Sequence, residues 1–285
     1  MNSIQNPPEY ENIQLSIDGS VASITLMREQ KYNAMNIPLI QDLVKAIEWT
    51  AMMSVGQQGK LNDEHGHAYL RIVVFRGAGK HFCAGADIEM MRDAGAKTQE
   101  ENRADSERLD KLFNSLWAHP CFTILVAHGV ALGGGAGLVS CSDYAIATES
   151  SKIALSEGKL GILPAVIGPY VYRRVGSAAF RRLAMQANRI TSDEALRIGL
   201  VDAVANDAEA AESLVSAMVD EVLSTGPQAV TQAKLLTLGF DRWNGDDDSL
   251  RTWTLDYTSK MRGSEEGQEG MSSFLEKRPP NWKTD

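Results

Sequence analysis

The sequence predicts an α/β protein, with a parallel-paired core followed by a helical C-terminal region. Three observations carry this. The short apolar runs Ile72–Phe75 and Phe122–Ala127 read as buried strands, the kind that parallel sheets cover on both faces. Segments with helical apolar spacing lie between them, so strands and helices alternate. Beyond Val204 strand signals stop and helical patterns remain, which separates a core, residues 1–204, from a helical portion, residues 205–285.

In chain order, Met1–Pro8 reads as a loose polar tail. Ile13–Ile17 and Val21–Met27 alternate apolar and polar residues about Asp18-Gly19, the pattern of a hairpin. Arg28–Asn36 is a polar loop, and Pro38 opens a helical pattern over Leu39–Met52. Gly56–Ala68 reads as a surface loop, with His65 and His67 solvated rather than metal-bound. A short helix is expected over Ala86–Ala94, and a long one over Thr98–Trp117 that Pro120 ends. The apolar positions of the long helix, from Leu109 to Trp117, are assigned to core packing. After Phe122–Ala127 a helix resumes at Leu138–Cys141. Tyr144–Ala147 and Ile153–Leu155 are further extended runs, the second delivering Ser156-Glu157. Thr191–Glu194 is a capping-box sequence and Val201–Val204 a last short strand. Ala208–Leu223, Gln228–Leu238, Ser249–Met261 and Glu265–Glu276 read as helices.

Acidic residues outnumber basic ones, 37 to 28, for a net charge of −9, which argues against a nucleic-acid surface. The three cysteines, Cys83, Cys121 and Cys141, have neither metal spacing nor a paired framework, so a reduced, cytoplasmic setting is expected, with no metal. Residues 1–11 lack an apolar signal core, and no run reaches the roughly 18 apolar residues of a membrane span.

Two loops carry the candidate chemistry. In Val126–Gly137 a strand ends at His128-Gly129, and Gly133, Gly134 and Gly135 then open a helix. Amides exposed at such a turn can hold a phosphate or a developing oxyanion. No Lys-Ser or Lys-Thr follows the glycines, and Gly-x-Gly-x-x-Gly is absent. The second loop, His81–Ile88, follows the strand Ile72–Phe75. Two strand-end loops of small residues plus one carboxylate, Glu157, suit a pocket that grips a carbonyl from two sides. His128, beside the turn, is a rival base, more simply read as a turn histidine satisfied by backbone.

Four segments in order resemble the enoyl-CoA hydratase/isomerase (crotonase) superfamily: Phe82–Ile88, Ala131–Gly135, Leu155–Pro164 and Glu266–Lys277. The resemblance spans about Tyr10 to Trp282. It implies a crotonase-like spiral of ββα turns with a C-terminal helical trimerisation region, in a homotrimer or a dimer of trimers. The substrate it implies is an acyl-CoA thioester; coenzyme A is part of the substrate and no separate cofactor is needed. Ala86 and Gly134 would supply the two amides for the thioester oxygen, and losing one such donor typically costs ~2.7–4 kcal/mol. Glu157 would be the acid/base, its burial raising its pKa. Arg28, Lys31, Ala84, Gly85, Asp87, Ile88, Gly133, Gly137, Phe274 and Lys277 match positions around the bound acyl-CoA.

One departure stands out. Family hydratases commonly carry a second glutamate three residues beyond the middle glycine, where this chain has Gly137. The wording around Glu157, with glycine at 137, is similar to a bacterial branch that hydrates branched, carboxyl-bearing enoyl-CoAs such as 3-methylglutaconyl-CoA and isohexenylglutaconyl-CoA. Tyr170, Arg173 and Arg174 follow that segment, and the two arginines read more simply as helix surface charge. Hydration leads; Δ3-Δ2 isomerisation, a lyase or decarboxylase, and a scaffold that has lost catalysis remain alternatives.

Overall fold

The computed structural model describes Ile4 and residues 6–283. The expected tail therefore falls partly outside the described residues, but Ile4 is only 5% exposed and packs in the core, because an isolated apolar residue gains more from burial than from a free tail. The strands are β1 (Ile13–Asp18), β2 (Val21–Leu26), β3 (Ile72–Gly77), β4 (Phe122–Ala127), β5 (Val130–Leu132), β6 (Tyr144–Thr148), β7 (Lys152–Ala154), β8 (Ile190–Thr191) and β9 (Ala203–Ala205). The helices are α1 (Ile37–Met52), α2 (Val55–Gln58), α3 (Ile88–Asp93), α4 (Gln99–Trp117), α5 (Gly134–Cys141), α6 (Gly168–Gln186), α7 (Ser192–Arg197), α8 (Ala208–Ser224), α9 (Pro227–Asp241), α10 (Asp247–Arg262) and α11 (Glu265–Glu276).

Local chemistry accounts for several boundaries. Asn36 caps α1 by accepting from the Leu39 amide, with Pro38 in the first turn. Thr98 and Glu101 form a reciprocal capping box on α4. β2 alternates half-buried and buried residues, whereas β3 and β4 are buried almost throughout, as expected for inner strands. The expected loop at Gly56–Ala68 contains the end of the short helix α2, capped by Ser54.

Pairing explains the architecture. The large sheet has the order β1-β2-β3-β4-β6-β9, parallel except for the β1–β2 hairpin. A second, smaller sheet has the order β5-β7-β8. Each turn of chain gives one strand to the large sheet, touches the second layer, and then enters a helix. β4 is followed by β5 and α5; β6 is followed by β7, a short 3-10 turn at Ser156–Leu160, and α6. The earlier turns touch the second layer by single parallel bridges, Met35 with Ala86 and Cys83 with Ala131. The result is the ββα spiral that the resemblance implies.

The main core lies between the layers and under α1, α4 and α5. On its other face the large sheet buries Ile72, Val74, Ile124, Val126 and Ile146 against Ala211, Val215 and Val222 of α8. Helix α5 is buried from Gly135 to Cys141, and small residues allow this: a side chain on Gly135 would start 2.6 Å from the Cys83 carbonyl oxygen.

Candidate active site

The spiral sets three residues at corresponding places in successive turns. Cys83 bridges Ala131, and Ala131 pairs with Ile153 through β5 and β7. Ala86 lies three residues past Cys83, Gly134 three past Ala131, and Glu157 four past Ile153. Each therefore stands where its turn leaves the second layer. All three line one cavity of about 690 Å³.

The two amides are free for a ligand. Met35 donates to the Gly85 carbonyl and accepts from the Asp87 amide, so the N–H of Ala86 between them points to the opposite side, toward the third turn. Gly134 is the first residue of α5, where helix amides have no partner within the helix. Among the described residues, neither amide donates to a protein acceptor. The next amide back, that of Gly133, is held by Ala154 at 2.8 Å. Gly133 has φ 48°, and Gly85 has φ 95° with the Leu132 carbonyl oxygen 2.8 Å from where a side chain would start, so both turns need glycine.

Glu157 faces the same turn. Its Oε1 lies 3.2 Å from the point where a side chain on Gly133 would begin, and its Oε2 is buried without a hydrogen-bond partner. Burial raises its pKa, partly offset by a hydrogen bond from its own amide. An acid with an oxygen unpartnered within the protein, on one cavity with two free amides, can move protons at an atom next to a carbonyl whose oxygen gains charge.

Gly137 lies behind the cavity wall. A side chain there would start 2.5 Å from Ile167 Cγ2 and 2.9 Å from Phe113 Cε1, and both of those residues line the cavity. The cavity wall in front of Gly137 is thus apolar.

The other sequence-derived residues divide into three groups. Lys31, Ala84, Asp87, Ile88 and Gly133 line the cavity. Gly85 and Arg28 do not line it but build its rim. Arg28 donates to the Asp87 carboxylate at 2.7 Å and to the Ala34 carbonyl at 2.7 Å, tying the first turn to the second. Burial alone would raise the Asp87 pKa, but Arg28 and the amides of Glu89 and Met90 outweigh it and hold it below the usual range. Lys31 reaches Glu89 at 3.3 Å. Phe274 and Lys277 lie in and just after α11, exposed and outside the cavity lining.

Arg174 is not surface charge: it donates to the carbonyls of Ser142 and Leu200 and pairs with Asp202, while Arg173 faces Asp241 at 3.6 Å. Neither these arginines nor Tyr170 lines the cavity. His128 Nε2 meets the Gly79 carbonyl at 3.0 Å, and His67 Nδ1 meets Asp63 at 3.0 Å. Among the described residues no group of three or more His, Cys, Asp or Glu is arranged to hold a metal, and no helix is long and apolar enough to cross a membrane.

Sequence reasoning missed the walls. Met35, Met90, Met91, the loop Ile162–Ile167 and one face of α4 line the cavity. Phe113 packs in the core as assigned, yet also forms the cavity's inner end.

The family model described as enoyl-CoA hydratase/isomerase matches residues 16–285. The crotonyl-CoA hydratase of Syntrophomonas wolfei is 30% identical over 275 residues, covering 96% of this chain and 98% of that one. A solved enoyl-CoA hydratase from Shewanella pealeana aligns with a TM-score of 0.85 at 33% identity, over 96% of this chain and 97% of that one. Pseudomonas aeruginosa AtuE aligns with a TM-score of 0.86 at 34% identity, over 96% and 100%.

Proposed function

The chain belongs to the enoyl-CoA hydratase/isomerase family, and we propose that within it this enzyme adds water across the α,β double bond of an acyl-CoA thioester. The observation that carries this reading is the cluster of Glu157 with its unpartnered oxygen and the two unpaired amides of Ala86 and Gly134 on one cavity. The thioester oxygen takes both amides. Ionised Glu157 draws a proton from water as the water oxygen bonds to the β-carbon, and negative charge moves to the thioester oxygen. Glu157 then returns that proton to the α-carbon, and the charge on oxygen collapses. The same carboxylate serves both steps, so water and proton reach the substrate from one face, and the wall formed by Phe113 and Ile167 is apolar and offers no second acid. The substrate brings its own coenzyme A.

Isomerisation of a Δ3-enoyl-CoA to the Δ2 form is the second reading, because a lone carboxylate beside an apolar wall also suits a shuttle between two carbons. A lyase or decarboxylase on the same enolate ranks behind it. A branched or carboxyl-bearing acyl group, as in the methylglutaconyl-CoA-like branch, is supported by Arg108 on the cavity wall and Lys97 beside it, paired through Asp105. The enzyme acts in the cytoplasm as a homotrimer or dimer of trimers with residues 205–285 at the contacts; exposed Leu255, Met271, Phe274 and Leu275 support such a surface.

The test follows the absorbance of conjugated enoyl-CoAs with native protein and with Glu157→Gln, identifying products by mass. Gain of one water with the native protein alone supports hydration. A Δ3 substrate converted to its conjugated isomer with no hydroxyacyl product transfers the assignment to isomerase.

A further inference from the structure

Asn33 is a polar side chain sealed inside the protein, 0% exposed and outside the cavity lining. Both ends of its amide are used. Oδ1 accepts from the Arg28 amide at 2.9 Å, within its own loop. Nδ2 donates to the Ala78 carbonyl at 2.9 Å and to the His81 carbonyl at 2.8 Å, both in the loop that leads to Ala86. One acceptor beside two donors is what a carboxamide offers and a carboxylate does not. The end of β3 leaves room for it: a side chain on Gly77 would start 3.0 Å from Asn33 Nδ2.

The backbone here is held in a costly shape. Tyr32 and Asn33 are consecutive left-handed residues, with φ 54° and 55°, and neither is glycine. Such a pair persists where the surroundings over-determine it, and the three bonds of the Asn33 side chain supply that constraint.

The same bend carries the segment around Ala86. The Tyr32 carbonyl accepts from the Ala84 amide at 3.0 Å, the Met35 amide donates to the Gly85 carbonyl at 2.7 Å, and the Met35 carbonyl accepts from the Asp87 amide at 2.9 Å. Residues 84, 85 and 87 are thus fixed to Tyr32 and Met35, on either side of Asn33, and the free Ala86 amide takes its direction from them. The Gly134 amide hangs on a different frame, formed by α5 and the bond from the Gly133 amide to Ala154.

We infer that Asn33 is a positioning residue of the oxyanion clamp: by locking the Tyr32–Asn33 bend onto Ala78 and His81, it aims the Ala86 amide without touching substrate. The inference rests on the enoyl-CoA reading above, and its test separates the two. Asn33→Gly accepts the left-handed backbone and removes the three side-chain bonds. Steady-state kinetics on an enoyl-CoA are measured for native protein, Asn33→Gly, Ala86→Pro and the double variant.

Asn33→Gly is expected to lower kcat about 10–100-fold with KM little changed, and to lower it by less than about threefold once Ala86→Pro has removed the donor. Equal losses in the two backgrounds overturn the inference, because a residue that merely supports the fold acts in both. A native kcat, or a loss confined to KM, overturns it as well. Should Asn33→Gly misfold, Asn33→Asp keeps the side chain's shape, loses both donors and is judged by the same cycle. If native protein turns over no enoyl-CoA, the activity reading fails instead, and amide hydrogen exchange judges the positioning. Exchange over residues 84–87 is expected to quicken about tenfold or more in the variant while residues 134–141 keep their native rates. Unchanged rates over 84–87, or an equal rise over both stretches, overturn it.

Discussion

The carboxylate of Glu157 occupies the space that any side chain on Gly133 would enter, with Oε1 3.2 Å from that point. The candidate acid therefore packs against Gly133, the residue next to the Gly134 amide.

Glu157→Gln is expected to lower kcat by about 10²–10⁴ while acyl-CoA affinity stays within a few-fold. The native pH–rate profile should have an acid limb above the ordinary glutamate range, because burial raises this pKa, and the limb should vanish in the variant. The stability effect has the opposite sign. A raised carboxylate pKa means that the folded state binds the proton more tightly, so the group's contribution falls as pH rises through that pKa. Glu157→Gln should therefore melt higher than native protein at pH 7, measured by calorimetry; an equal or lower melting temperature would contradict a strained acid.

Ala86→Pro removes one oxyanion donor without adding a charge. Turnover should fall about 10²–10³-fold with acyl-CoA binding largely retained. Gly134→Ala keeps its amide but starts a side chain 2.2 Å from Met35 Cε, at the far end of a flexible residue, so its loss should be smaller. The reverse order, read by steady-state kinetics on folded variants, would remove Ala86 from the clamp.

Gly137→Ala is expected to destabilise by roughly 1–3 kcal/mol, since its Cβ meets Ile167 and Phe113 at 2.5 and 2.9 Å. Gly137→Glu should lose more stability and gain no turnover, because the space holds apolar side chains rather than water. Faster hydration by a stable Gly137→Glu enzyme would refute the packing argument.

Arg28→Met leaves the Asp87 carboxylate without its cation, with the two side chains only 13% and 8% exposed. Stability should drop by about 3 kcal/mol or more, and kcat should fall as the segment around Ala86 loosens. If Arg28 instead contacts a phosphate of coenzyme A, KM rises and kcat holds, so the split distinguishes the two roles.

His119 is fully buried, with Nδ1 accepting from the Cys121 amide and Nε2 facing the Thr50 hydroxyl at 3.1 Å. Burial, aided by Lys234, lowers its pKa from 6.5 to about 3. The unfolded chain takes up a proton that the folded one refuses, so this group removes stability as pH falls from 6.5 toward 3, on the order of 4 kcal/mol over the window. At pH 7 His119→Gln should be less stable than native protein through lost hydrogen bonds. The gap should narrow or reverse by pH 4, as followed by denaturant unfolding; a constant gap would exclude this histidine from the acid response.

Much of the candidate site was legible because its chemistry is local. Gly133 and Gly85 need positive φ, and Glu157 is a carboxylate in an apolar stretch; each leaves a mark in its own few residues. Arg28 was less legible: a polar-loop arginine looks the same whether it meets a ligand or Asp87, 59 residues away. The stripe on α4 was hidden for a related reason. A helix face turned to an open cavity can have the same polar periodicity as one turned to bulk solvent, so Asn102 and Ser106 read as surface.

The sequence by itself determined most of the longer strands and helices, the turns that require glycine and a carboxylate set in an apolar stretch, because each depends on short-range sterics and apolar spacing; the three-residue strand β5 and the single-turn helix α2 left no such pattern. Only the tertiary structure decided that Ala86, Gly134 and Glu157 share a cavity, that Gly137 is walled off from it, and that the cavity follows α4. Those outcomes depend on how successive turns of the spiral stack, through bridges such as Cys83–Ala131 between residues 48 positions apart (131 − 83), and no local pattern records such a distance.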